Sequence, residues 1–206
     1  MSIINGFISN IVPILLIYYM VKTEQINKKD IGLVFVYTVL SIIVILVFAM
    51  ILLSLNMDTG QTMKPILIAL YALVEEVSKW LVFIFCFKSN KTMSKLVLCG
   101  LVFTIIESFL KVNIPTHSPI FTNIYFFSHS SMMVISYYLI DKISKTNINL
   151  VWLIALSSLF HFTLNLLLKS DTLNFLYGYF FSFLMVVSWD IIKHKRIDFL
   201  KTISEL

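Results

Sequence analysis

The sequence predicts an all-α protein, a bundle of about seven helices that cross a membrane. Hydrophobic residues occupy 59% of the 206 positions and charged residues only 13%, and the mean hydropathy of +0.92 is that of a membrane protein. Apolar runs of roughly 20 residues recur along the chain, which is the length that a helix needs to cross the ~30 Å hydrocarbon core of a bilayer. The chain is therefore expected to be a multi-pass protein of the cell membrane.

Seven apolar runs, separated by short polar gaps, define the predicted helices. They cover approximately residues 3–21, 31–55, 65–87, 96–112, 119–141, 150–168 and 173–192. The first run lacks a basic start and a small-residue cleavage site before Lys22, so we expect a membrane span there instead of a removable signal peptide. The later runs are each bounded by lysines in the gaps, as the ends of membrane helices often are. Only five glycines, four prolines and short gaps leave no room for a second domain, so we treat residues 1–206 as a single integral membrane domain.

The basic residues of the gaps predict the orientation of the bundle. Of the 16 lysines and arginines, twelve lie in the first, third and fifth gaps and in the C-terminal tail, whereas three lie in the other gaps and Lys79 lies inside a run. By the positive-inside rule, the N-terminus then faces out and the C-terminal tail faces the cytoplasm. Since these charges are spread over many gaps and form no single patch, the net charge of +5 does not indicate a nucleic-acid partner. The expected partner of the chain is the lipid bilayer of the membrane.

Six ionisable side chains interrupt the predicted membrane helices. Each costs about 2.5–3.5 kcal/mol at the centre of a bilayer on insertion scales, so such a set is by default a buried functional site. With a rise of 1.5 Å per residue, the members of the four helices lie at similar depths, about 12–16 Å below the outer face. The set consists of Glu75, Glu76 and Lys79 in the third run and Glu107, His129 and His161 in the next three.

The spacing of these residues assigns some of them to helix faces. Glu75 and Lys79 are four residues apart, which favours an ion pair of structural character, whereas Glu76 points about 100° away and is expected to be free for another role. His161 and Asn165 are also four residues apart, so imidazole and carboxamide share a face and can meet one ligand atom, although a carboxamide in a membrane helix can equally join two helices.

Two kinds of hydrolytic site are compatible with these residue types. The side chains of Glu76, His129 and His161 could hold a metal such as Zn²⁺, which lowers the pKa of a bound water. Alternatively, a buried glutamate could deprotonate water directly, with His161 and Asn165 stabilising the oxyanion. Both routes lead to hydrolysis of an acyl or peptide bond.

The order of these motifs resembles the PrsW family of intramembrane proteases. The pattern is Glu75-Glu76-Val77-Ser78-Lys79, then Phe103-x-x-x-Glu107, an isolated His129, and His161-x-x-x-Asn165, each on its own predicted helix. The family is related to the CAAX-protease and bacteriocin-processing group (CPBP, ABI), in which paired glutamates precede histidine motifs. The chain departs from related sequences at Ser108, where they often have asparagine after the glutamate.

The resemblance implies a multi-helix endopeptidase with its protease-like core in residues 65–169. Its substrate would be a membrane-associated protein or peptide, in some members an anti-sigma factor. Carried over by motif, the catalytic residues would be Glu75, Glu76, Glu107, His129 and His161, with Asn165 added by its spacing.

Two other classes of function use the same residue types. In a proton- or ion-coupled membrane carrier, the glutamates and histidines would form a relay. A non-catalytic membrane immunity protein could retain a protease scaffold without its chemistry. The combination of acid, imidazole and carboxamide favours hydrolysis, because a relay does not require Asn165.

Overall fold

The computed structural model describes residues 2–23, 25–56, 65–87, 92–111, 119–143 and 149–169, together with the pairs 183–184 and 187–188. Six α-helices account for nearly all of this part of the chain, and it contains no β-strand. They are α1 (Ser2–Lys22), α2 (Lys28–Asn56), α3 (Pro65–Cys86), α4 (Met93–Lys111), α5 (Pro119–Ile143) and α6 (Leu150–Lys169). The prediction of an all-α fold is confirmed.

The first six apolar runs coincide with these helices to within three residues at either end. Two helices contain segments that are long and apolar enough to cross a membrane by length and composition, Lys28–Leu52 in α2 and Leu150–Leu167 in α6. The described residues thus contain two candidate membrane spans. The seventh run, 173–192, and the basic tail after it lie outside the described residues, apart from the helical pairs 183–184 and 187–188.

Side-chain caps and prolines determine where several helices begin. Asn27 Oδ1 accepts a hydrogen bond from the backbone N–H of Asp30 at 2.7 Å, and Asp30 Oδ2 accepts one from the N–H of Asn27 at 3.2 Å, which is the reciprocal arrangement of a capping box. Pro65 and Pro119 occupy the first position of their helices, where the missing N–H has no intrahelical acceptor. Helix α4 begins at Met93, before the predicted start, because the hydroxyl of Thr92 accepts a hydrogen bond from the N–H of Lys95.

Helix α2 lies on the surface of the bundle and exposes apolar side chains along most of its length. Val36, Val44 and Met50 are each more than half exposed. A soluble domain seldom exposes so large an apolar surface. This apolar face belongs to one of the two helices that are long and apolar enough to cross a membrane.

The core of the bundle is formed mainly by α3, α4, α5 and α6. Helix α3 packs against α2 and α6, and α4 packs closely against α5. The indole N–H of the buried Trp80 donates to Ser157 Oγ at 3.0 Å and joins α3 to α6. At the crossing of α4 and α5, a Cβ atom on Gly100 would lie 2.5 Å from Ser130 Oγ, so only glycine allows this approach. These contacts bring the polar residues of the four helices into one layer.

Candidate functional site

The six ionisable residues singled out in the sequence form one buried cluster between α3, α4, α5 and α6. Five of them are at most 2% exposed, and Glu107 is 9% exposed. Lys79 and the two glutamates of α3 lie between the histidines of α5 and α6, and Glu107 of α4 reaches His129. Residues that the sequence places at similar depths in the membrane are therefore in contact in the structure.

Lys79 lies at the centre of this cluster. Its Nζ atom is 2.5 Å from Glu76 Oε1, 3.0 Å from Glu75 Oε1 and 2.6 Å from His129 Nδ1. The contacts with Glu76 and His129 are hydrogen bonds, whereas the contact with Glu75 is an ion pair without hydrogen-bond geometry. The same Nζ lies 4.8 Å from the centroid of the Phe103 ring, which adds a cation–π contact from α4.

The expectation that Glu76 is free of a partner on its own helix is wrong. The predicted pair between Lys79 and Glu75 is present, yet Lys79 also contacts Glu76. Residues three and four apart are both neighbours on a helix surface, so one flexible lysine can reach both carboxylates. Lys79 is therefore part of the site itself.

His129 is held between a cation and an anion. Its Nε2 atom lies 2.7 Å from Glu107 Oε2. Since a carboxylate only accepts, Nε2 carries the proton and donates it to Glu107, while Nδ1 accepts from the Lys79 ammonium. Both ring nitrogens of a neutral imidazole are used in this way, so the position and tautomer of His129 are fixed.

His161 has one ring nitrogen bound and one directed at Glu75. Nδ1 lies 2.9 Å from Glu76 Oε1 and, by the same reasoning, donates to this carboxylate. Nε2 then presents a lone pair, and it lies 3.7 Å from Glu75 Oε2. The rings of His161 and His129 meet edge to face with their centroids 5.4 Å apart.

Glu75 provides the least occupied carboxylate of the cluster. Oε1 forms an ion pair with the Lys79 ammonium, without hydrogen-bond geometry, and lies 3.7 Å from His129 Nε2; Oε2 lacks even an ammonium contact and has no hydrogen-bond partner among the described residues. Oε2 of Glu76 is likewise buried without one. Buried carboxylate oxygens are normally hydrogen-bonded to protein or to water. These two atoms therefore mark a place where a water molecule or a ligand group can bind.

Asn165 lies one helical turn after His161 on α6 and is partly buried. The structure keeps it on the face of α6 that carries His161, as the spacing predicts. Its role in the site remains a prediction.

The structure adds Asn10 to the surroundings of the site. Its side-chain Nδ2 donates to Ser108 Oγ at 2.7 Å, and both residues are buried. Ser108 directly follows Glu107, so a carboxamide from α1 lies near the position where related sequences often carry an asparagine. The sequence signal was an asparagine within the first apolar run, since carboxamides in membrane helices commonly form hydrogen bonds between helices.

Four residues of the cluster could hold a metal ion by their donor types. Glu75, Glu76, His129 and His161 each offer an atom, and these atoms lie within 4.8 Å of one another. A zinc ion requires its nitrogen and oxygen ligands to lie about 2.0–2.2 Å from the ion. In this structure, however, Glu76 Oε1 and His129 Nδ1 both bind the Lys79 ammonium. The set does not fit a metal ion as long as the ammonium occupies this position.

Comparisons with protein-family models, curated proteins and solved structures find no match to the chain.

Proposed function

We propose that the protein is an intramembrane endopeptidase that hydrolyses a peptide bond of a membrane-associated protein or peptide. The observation that supports this most strongly is the buried Glu75 carboxylate, whose Oε2 has no hydrogen bond among the described residues and lies 3.7 Å from Nε2 of His161. A base and a second acceptor at this separation are suited to binding and activating one water molecule. The resemblance of the motif order to the PrsW family supports the same function.

Glu75 is the proposed general base, and Glu76 is a residue that positions others. A water molecule placed about 2.8 Å from both Glu75 Oε2 and His161 Nε2 can donate one hydrogen to each, because the two atoms are only 3.7 Å apart. Its lone pairs are then directed toward a substrate carbonyl. Glu76 is bound to Lys79 and His161, so it holds the imidazole that orients this water.

The proposed reaction requires one proton to be taken up and returned. Glu75 accepts a proton from the water as the oxygen forms a bond with the carbonyl carbon. The negative charge on the former carbonyl oxygen is stabilised by N–H donors, for which Asn165 on the face of α6 shared with His161 is the candidate. The carbon–nitrogen bond then breaks, and the leaving amine takes the proton from Glu75. The products are a carboxylic acid and an amine.

The membrane arrangement belongs to the same proposal. The six described helices and the 173–192 run would form seven spans, with the N-terminus outside and the basic tail in the cytoplasm. The exposed apolar face of α2 and the burial of every charged residue of the cluster support an environment of lipid around the bundle. The substrate would reach the cluster from the bilayer, as a membrane-bound protein such as an anti-sigma factor would.

A proton- or ion-coupled carrier is the second candidate function. Among the described side chains of the cluster there are three carboxylates, those of Glu75, Glu76 and Glu107, and a single ammonium, that of Lys79. An excess of negative charge between helices is typical of cation and proton pathways. Transport of protons by the purified protein in liposomes, without any peptide cleavage, would favour the carrier over the peptidase.

Cleavage of a transmembrane reporter peptide by purified protein in detergent tests the peptidase. The Glu75→Gln variant is expected to lose activity by about 10²–10⁴-fold, the usual contribution of a general base. Asp30→Asn is the matched control, because Asp30 is also a buried carboxylate paired with a lysine, Lys95, but lies outside the cluster. Cleavage by Glu75→Gln at the wild-type rate would rule out the proposed base.

A further inference from the structure

The Lys79 ammonium has the surroundings of a bound metal ion. Two carboxylate oxygens and one imidazole nitrogen, from two different helices, converge on Nζ at 2.5–3.0 Å. Lysines in membrane helices are usually near the helix ends, where the ammonium can reach the interface. Lys79 instead is 1% exposed and lies in the middle of α3.

The donor atoms around Lys79 are those that zinc selects. Oxygen from glutamate and nitrogen from histidine are common zinc ligands. His161 Nε2 adds a further nitrogen, 3.7 Å from Glu75 Oε2. His129 Nδ1 has a single lone pair, which can bind either the ammonium or a metal. A metal ion bound to the same carboxylate oxygens would also lie within about 3 Å of the ammonium, and the two positive charges would repel each other. Occupation by Lys79 and occupation by a metal are therefore mutually exclusive.

The Lys79 ammonium also compensates negative charge in the cluster. Glu75 and Glu76 are buried carboxylates, and among the described residues Lys79 is the cation that both of them contact. Removal of one partner from a buried ion pair leaves an uncompensated charge, which is strongly unfavourable. A divalent cation in the vacated space would compensate both carboxylates.

We infer that the Lys79 ammonium occupies the place of a metal ion in this site, and that its removal opens a divalent-metal site formed by Glu75, Glu76, His129 and His161. Native protein then needs no metal in the cluster. Lys79 is a positioning residue that holds the carboxylates of Glu75 and Glu76 and the imidazole of His129 in place. The inference concerns cation binding and does not depend on whether the protein is a peptidase.

Elemental mass spectrometry on purified protein, dialysed against zinc and then freed of unbound metal, tests this inference. Wild type is expected to retain no stoichiometric zinc, whereas Lys79→Ala is expected to retain about one zinc ion per molecule. The zinc should be lost again in Lys79→Ala combined with His129→Ala. Replacing zinc with Co²⁺ provides a spectroscopic readout, because its visible absorption reports protein ligands around the ion.

Two further variants control for charge and for folding. Lys95→Ala removes another buried lysine, one that pairs with Asp30 outside the cluster, and should gain no zinc. Lys79→Arg keeps the positive charge and should also gain none. If Lys79→Ala aggregates without zinc but is monodisperse when zinc is present during expression, the metal has replaced the ammonium and the inference is supported.

Stoichiometric zinc in wild-type protein that disappears in Glu76→Gln would overturn the inference, since ammonium and metal would then coexist. A folded Lys79→Ala protein that retains no zinc would overturn it too. So would a Lys79→Ala protein that aggregates equally with and without zinc, because a divalent ion could then not take the place of the ammonium.

Discussion

Nε2 of His161 lies 3.7 Å from Oε2 of Glu75, and this carboxylate oxygen has no hydrogen bond within the described part of the protein. Two acceptors at this distance can share a single donor molecule such as water. The two residues come from different helices, α6 and α3, and are brought together by the packing of these helices. The proposed chemistry depends on this relationship more than on any other contact.

Glu76→Gln is expected to lower the thermal stability of the protein more than Glu75→Gln. Glu76 forms charge-assisted hydrogen bonds with both Lys79 and His161, and such bonds contribute about 1.5–3 kcal/mol each. Among the described residues, Glu75 has one ammonium contact, with Lys79, and no hydrogen bond. Thermal unfolding of both variants in the same detergent measures the difference. Equal melting temperatures would show that Glu76 has no special positioning role.

Gly100→Ala is expected to destabilise the bundle and to reduce cleavage. The new methyl group would lie within 2.7 Å of the backbone of Ser130, the residue after His129, so α5 must shift. Overpacking of this kind costs about 1–3 kcal/mol.

Gly32→Ala is the matched control for this substitution. A Cβ atom at Gly32 meets nothing within 4 Å, and alanine favours the helix, so stability should be unchanged or slightly higher. If chemical denaturation gave the same result for both glycines, the close approach of α4 and α5 would not be what positions His129.

Trp80→Phe is expected to destabilise the contact between α3 and α6. The indole N–H of Trp80 donates to Ser157 within the core, and the phenyl ring both removes this bond and leaves a cavity. A loss of about 1–3 kcal/mol follows from the hydrogen bond and the missing volume together. Trp152→Phe provides the control, because Trp152 is 63% exposed. Unfolding free energies of the two variants in one detergent should differ by this amount.

Asn10 and Ser108 are expected to be energetically coupled. Their side chains share a buried hydrogen bond between α1 and α4. Such bonds between membrane helices average about 0.6 kcal/mol in double-mutant cycles. A cycle of Asn10→Ala, Ser108→Ala and the double variant, measured by unfolding, should return a coupling energy of this size. Strict additivity would mean that the contact does not stabilise the packing of α1 on α4.

Much of the helical structure follows from the sequence because apolar runs and polar gaps are determined locally. The start of α3 at Pro65 was predicted. Helix α4 begins at Met93, before its predicted start, because Thr92 caps it. The membership of the cluster was also predictable, since a charge within hydrocarbon needs a partner at the same depth.

The internal contacts of the site could not be derived in the same way. Helices that are apolar on every side give almost no periodic signal, so the sequence does not define how each helix is rotated about its axis. The contact of Lys79 with His129 and the contact of Asn10 with Ser108 both depend on these rotations. The preference for Glu75 over Glu76 as the base likewise became visible only from the partners of each carboxylate.

Cleavage of a transmembrane reporter peptide in water enriched in ¹⁸O tests the central claim most directly. If Glu75 activates water for attack on a peptide bond, wild-type protein will produce a fragment whose new C-terminal carboxyl contains one ¹⁸O atom, and Glu75→Gln will produce this fragment about 10²–10⁴-fold more slowly. Cleavage without ¹⁸O in the new carboxyl group, or the same labelled product from Glu75→Gln at the wild-type rate, would contradict the account.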